Sequence, residues 1–202
     1  MLTARTAVLV SGGGTNLQAL MDAQADGGLK SGQIALVIAD RAGIGAIGRA
    51  EAAGVGCALI PRREPGFEQR VLDALAAYRI DMVILAGFLG ILSSDFIARF
   101  PGPILNVHPS LIPSFCGKGF YGLRVHQAAL DYGVKVTGAT VHYVNEIPDG
   151  GQIILQKAVD VLPGDTPEVL QRRVMEQAEW ALLPQAAELV AAQIVRGKEE
   201  HT

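Results

Sequence analysis

The first half of this chain repeats a single rhythm, and that rhythm constrains its fold more than any other feature. "TAVLVS" (6–11), "QIALVIAD" (33–40), "GCALI" (56–60) and "DMVILAG" (81–87) are continuous aliphatic runs. A strand with one wet face alternates apolar and polar residues, so unbroken runs mark strands covered on both faces. Helical patterns lie between them: "TNLQALMDAQADG" spaces Leu17, Leu20 and Met21 along one face, and "FEQRVLDALAAYR" does so with Val71, Leu72, Leu75 and Tyr78. Such alternation implies right-handed βαβ units and a parallel sheet. "PILNVH" at 103–108 reads as a fifth strand.

Beyond residue 110 the pattern changes. "SLIPSFCGKGFYG" (110–122) reads as a functional loop and "LRVHQAALDYG" (123–133) as a short helix ending at Gly133. "KVTGATVHYV" (135–144) and "QIILQKAVDV" (152–161) flank the turn signal "NEIPDGG", which makes them an antiparallel pair. Thr166 caps a long final helix, with Pro167 at its first position and Glu168 in its first turn; it runs past Trp180, and a kink is expected at Pro184. The fold expected is α/β: a single open, mostly parallel twisted sheet with helices on both faces and antiparallel C-terminal strands. One domain spans 1–202, with halves at about 1–100 and 101–195.

Composition excludes several classes. The net charge is −3 and no basic block occurs, which argues against a nucleic-acid surface. The most apolar stretch, "MVILAGFLGIL" (82–92), is too short to cross a bilayer, and the N-terminus carries no signal pattern. Cys57 and Cys116 read as reduced thiols. A soluble cytoplasmic protein is expected. No metal is expected, because the histidines and cysteines show no ligand spacing.

"VSGGGTNL" (10–17) follows a strand and opens a helix, where glycine backbone, free N–H groups, Thr15 and Asn16 favour an anion such as phosphate; the alternative is a plain tight turn. It matches neither the dinucleotide fingerprint nor the Walker loop. Asn106 and His108 stand two apart on the fifth strand and share a face at its C-terminal end, where open α/β sheets place ligands. Together they could stabilise an oxyanion; equally, His108 could be a satisfied core histidine and Asn106 a turn residue. Asp149, in "IPDGG", is by spacing a turn former, and it meets His108 only if the hairpin folds back over the fifth strand. Such a meeting would raise the imidazole's pKa. His142 reads as hydrogen-bonded structure and His126 as surface or support.

"VSGGGTNLQAL", "LAGFLGILS", "ILNVHPSLIPSF", "GATVHYV" and "PDGGQIILQ" occur in the order they have in the phosphoribosylglycinamide formyltransferases, and the chain resembles that folate-dependent family from Val8 to about Val195. The resemblance implies formyl transfer from 10-formyltetrahydrofolate to the amine of glycinamide ribonucleotide in purine synthesis. It implies that Asn106 and protonated His108 stabilise the tetrahedral oxyanion and that Asp149 raises the pKa of His108 and helps move the proton. It further implies substrate phosphate on Gly14, Thr15 and Asn16, glycinamide or ribose near Pro109 and Glu179, and folate along Leu89, Gly90, Ile91 and Leu92, with Asn106 also at the folate. The N-terminal half would then bind phosphate and the C-terminal half would carry folate and catalytic segments. Many members have Arg where this chain has Gly90, and the family arginine before the helix at 67–79 falls on Arg62 or Arg63, Arg63 being taken for the folate contact. A homodimer is compatible with the resemblance. The alternatives within folate chemistry are formyltetrahydrofolate hydrolase and methionyl-tRNA formyltransferase, and outside it a non-catalytic phosphate-ligand module.

Overall fold

The computed structural model describes residues 2–200. One seven-stranded sheet runs through it in the order β3-β2-β1-β4-β5-β6-β7. The strands are β1 (Ala4–Val10), β2 (Gly32–Ala39), β3 (Cys57–Leu59), β4 (Met82–Leu85), β5 (Ile104–His108), β6 (Val136–Tyr143) and β7 (Ile153–Asp160). β1 to β5 are mutually parallel, whereas β6 runs antiparallel to β5 and β7 antiparallel to β6. The mostly parallel sheet with antiparallel C-terminal strands is as the aliphatic runs and the "NEIPDGG" turn require.

The unbroken runs find their explanation in two cores. Val8 and Val10 of β1, with Met82 and Ile84 of β4, pack into one buried cluster. Their neighbours Ala7, Leu9, Val83 and Leu85 pack into another. Consecutive residues point to opposite faces, so only a strand buried on both sides can be apolar throughout. Helices α1 (Thr15–Ala25) and α7 (Trp180–Glu199) cover the first face through Leu17, Leu20, Leu183 and Ala187. α3 (Phe67–Ala77) and α4 (Ser94–Arg99) cover the second through Val71, Leu75 and Phe96. The remaining helices are α2 (Gly45–Ala52), α5 (Leu123–Tyr132) and α6 (Pro167–Val174). Among the described residues, no helix is long and apolar enough to cross a membrane.

α7 runs through Pro184, and the C-terminal helical stretch carries an irregularity. The irregularity falls earlier, as a π turn over Met175–Glu179 between α6 and α7. Pro184 offers no N–H to the carbonyl four residues back, Trp180, and its ring crowds that carbonyl. The π turn ends at Glu179, which is buried and lines the cavity described below.

Chain order reverses between β1 and β4. β1 leads through α1 to β2 on one side, while β4 lies on its other side. The crevice at such a switch point, outside the carboxyl ends of the strands, is where open α/β sheets take ligands.

Candidate active site

A cavity of about 700 Å³ opens at that crevice. Its wall includes Thr15 and Asn16 from the start of α1, Phe88–Leu92 after β4, Asn106–Pro109 at the end of β5, Gly117–Gly122, Asn145–Asp149, and Glu179 of the π turn. Every residue that the resemblance assigns to the site lines it except Gly14 and Arg63. Both halves of the chain contribute to this wall.

Gly14 lies behind the wall. It begins α1 at φ +76°, and a Cβ there would sit 2.8 Å from the Cα of Ala46, so only glycine fits. The first helical bond runs from Gln18 N–H to the Gly14 carbonyl, which leaves the earlier amides of the turn without helical partners. The Asn16 side chain is already engaged: Nδ2 donates to Glu179 Oε2 at 2.6 Å. Glu179 is buried, and burial raises its carboxyl pKa although the Asn16 bond opposes this.

The polar end of the cavity is built on two neighbouring strands. In the β5–β6 register Asn106 stands directly opposite His142, and His108 opposite Thr140. Cross-strand partners share a face, so Asn106, His108 and His142 project together. Asn106 Nδ2 lies 3.1 Å from His142 Nε2 and 3.4 Å from Asp149 Oδ1. His142 Nδ1 lies 2.8 Å from the Tyr143 carbonyl, which only accepts, so Nδ1 carries a proton. Nε2 is then free to accept from Asn106 or, once protonated, to face Asp149 Oδ1 at 3.6 Å.

Asp149 does fold back over β5. It adopts φ +55°, and the glycines that follow are sterically required: a Cβ at Gly151 would meet the Tyr143 carbonyl at 1.7 Å, and one at Gly150 the Ile147 side chain at 2.6 Å. Asp149 thus stands in a turn and also lies beside His108. Asp149 Oδ2 accepts from Gly117 N–H at 2.7 Å and lies 3.5 Å from His108 Nδ1. Burial alone would raise the Asp149 carboxyl, but the His142 and His108 rings and the Gly117 amide outweigh it and hold it below the usual carboxylate range.

His108 Nε2 lies 2.9 Å from the Phe115 carbonyl. Both of its nitrogens therefore face acceptors, which favours the imidazolium. Burial nevertheless dominates and moves the His108 pKa below its ordinary value, with Asp149 and the Phe115 carbonyl opposing it. Asp149 acts in the expected direction, raising the imidazole's pKa, but desolvation is larger.

Other assignments also change. His142 is hydrogen-bonded, as expected, and also lines the cavity, for which the missing signal was its register opposite Asn106. His126 is buried, with neither ring nitrogen hydrogen-bonded, and its pKa falls to about 4, chiefly through burial. Arg62 lines the cavity, while Arg63, its neighbour in the turn after β3, is exposed and does not. The 110–122 loop is tied to the sheet: Ile112 N–H donates to Thr140 Oγ1, and Thr140 Oγ1 donates to the Ser110 carbonyl.

Comparison with known proteins interprets this geometry. The sequence model of the formyl transferase family matches residues 4–187. The chain belongs to the formyl transferase family. It is 39% identical over 184 residues to phosphoribosylglycinamide formyltransferase of Haemophilus influenzae, covering 89% of this chain and 84% of that one. It is 44% identical over 197 residues to the human trifunctional purine biosynthetic protein adenosine-3, covering 96% of this chain but only 19% of that protein. Thus it spans about a fifth of the length of such trifunctional relatives. The solved glycinamide ribonucleotide transformylase 1 of Symbiobacterium toebii superposes with a TM-score of 0.87 at 40% identity, covering 95% of this chain and 89% of that one. As in that formyl transferase, the fold is the mostly parallel sheet described above.

Proposed function

We propose that this formyl transferase moves the formyl group of 10-formyltetrahydrofolate to the amine of glycinamide ribonucleotide, yielding the formylated ribonucleotide and tetrahydrofolate. The observation that carries this reading is the convergence of Asn106, His108, His142 and Asp149 in a cavity that Phe88, Leu89, Ile91 and Leu92 also line. The amine nitrogen attacks the formyl carbon, and Asn106 Nδ2 donates to the oxygen as it gains charge. His108 donates through Nε2, exchanging the Phe115 carbonyl for the oxyanion. Each such donor is worth roughly a hundred- to a thousandfold in rate. Asp149 stabilises the imidazolium, and the amine proton passes to the folate nitrogen as the old carbon–nitrogen bond breaks.

The substrate phosphate rests on the amides around Gly14, Thr15 and Asn16, next to the positive end of the α1 dipole. Pro109 and the Asn16–Glu179 pair face the ribose and glycinamide. Folate lies along Leu89, Gly90, Ile91 and Leu92, with Arg62, rather than Arg63, as the cation in that wall. Ile91 is 74% exposed and Ile147 60%, a large apolar rim that a pteridine and benzoate would cover.

Steady-state release of tetrahydrofolate tests the reading. Wild-type protein should release it only when glycinamide ribonucleotide is present, and Asn106→Ala should lose at least a hundredfold in turnover while melting normally. Release without the ribonucleotide would instead indicate a formyltetrahydrofolate hydrolase.

A further inference from the structure

Leu89 lies in the wall assigned to folate, and both of its backbone groups are held by side chains from other strand ends. Its N–H donates to Ser11 Oγ at 2.9 Å, and its carbonyl accepts from Arg62 at 2.8 Å. Both side chains lead to one carboxylate. Ser11 Oγ donates to Asp40 Oδ2 at 2.9 Å, and Arg62 Nε lies 3.5 Å from the same oxygen. Asp40 is 4% exposed, does not line the cavity, and is further bonded by Arg41 Nε at 3.0 Å.

This hub follows from the sheet. Val10 and Ala39 are register partners at the ends of β1 and β2, so Ser11 and Asp40 come next to each other immediately beyond them. Asp40 N–H donates to the Val10 carbonyl, and Arg62 N–H donates to the Asp40 carbonyl. The ends of β1, β2 and β3 are thereby joined under the segment that leaves β4.

A carboxylate only accepts, so it obliges the Ser11 hydroxyl to point its hydrogen at Asp40 and its lone pair at Leu89 N–H. An amide at position 40 could present N–H to Ser11 instead, which would reverse that polarity and also remove the attraction for Arg62. Gly90 fits the same arrangement: a Cβ there would lie 2.9 Å from Arg62 Cδ and 2.5 Å from the Phe88 ring. Glycine at 90 leaves Arg62 the room to reach across to Leu89.

We propose that Asp40 is a positioning residue for the formyl donor, fixing the backbone of residues 88–92 through Ser11 and Arg62; this rests on reading that segment as the folate wall. Two measurements on the intact protein test it: hydrogen–deuterium exchange of 88–92, and the dissociation constant for tetrahydrofolate. Asp40→Asn should speed exchange in that segment and weaken tetrahydrofolate binding about ten- to a hundredfold, the worth of a charge-assisted hydrogen bond. The KM for glycinamide ribonucleotide should stay within about twofold. Ser11→Ala should act alike and Ser11→Thr should restore both readouts, so the test survives if Asp40→Asn folds poorly. The double variant should be no worse than the weaker single one, because the residues act in series. Unchanged exchange at 88–92 in both Asp40→Asn and Ser11→Ala would overturn the role of Asp40. Faster exchange with unaltered tetrahydrofolate affinity would show instead that the segment is not the folate wall.

Discussion

Asp149→Asn removes one charge and keeps the shape of the side chain. Asp149 Oδ2 lies 3.5 Å from His108 Nδ1, with the Asp149 side chain only 14% exposed. Two unit charges about 4 Å apart at an effective dielectric of about 20 interact by about 4 kcal/mol, which bounds the effect from above. Shifts from a neighbouring opposite charge run to about 1–3 pKa units, or about 1.4–4 kcal/mol. His108 already titrates below its ordinary value because burial outweighs Asp149, so the variant moves it lower still. The imidazolium needed beside the oxyanion then costs more, and turnover should fall about ten- to a thousandfold. The Asn carbonyl can still accept from Gly117 N–H, so the loop and the melting temperature should change little. The assay is kcat against pH together with an NMR titration of the His108 ring. A variant with kcat within about threefold of wild type, or a His108 pKa that rises, would refute the reasoning.

Other consequences are open to measurement. His126 titrates at about 4 in the fold against about 6.5 in the unfolded chain, so the unfolded state takes up a proton first. Its contribution is intact above pH 6.5 and is lost as pH falls from there toward 4; His126→Leu should reduce the acid loss between pH 7 and 4.5 by up to about 2–3 kcal/mol in chemical denaturation. An equal acid loss in wild type and variant would contradict this. Gly14→Ala should cost roughly 1–3 kcal/mol from the left-handed backbone and the clash with Ala46, and should raise the KM for the ribonucleotide. Unaltered stability would remove the steric argument. Glu179→Ala strands the Asn16 amide and should destabilise by about 1–3 kcal/mol, whereas Glu179→Gln, which can still accept that bond, should be milder. Equal melting temperatures for the two variants would count against the pairing.

The sheet was legible because periodicity reports burial directly: Val8 and Leu9 must both be apolar if both faces of β1 are covered. α2, "GAIGRAEA", and α4, "SDFIAR", escaped notice because they are too short to show an apolar stripe. Asn106 and His108 could be paired from their spacing on one strand. His142 could not, since its place depends on the register between β5 and β6, which no local pattern contains. Residue type suggested the sign of the Asp149–His108 interaction, but the larger desolvation depends on what packs around His108. For Arg62 and Arg63 the sequence offers two neighbours of one kind, and only their places in the turn after β3 separate them. Asp40 shows the same limit: in "VIADRAG" it reads as a polar strand end, and its partners Ser11, Arg62 and Leu89 are brought together only by the sheet.

The most direct test of the central claim follows the formyl carbon itself. Protein supplied with 10-formyltetrahydrofolate carrying a ¹³C-formyl group, together with glycinamide ribonucleotide, should place the label on the ribonucleotide amine, one label for each tetrahydrofolate released. Label recovered as formate, or retained on the folate while wild-type protein is saturated with both substrates, would contradict the account.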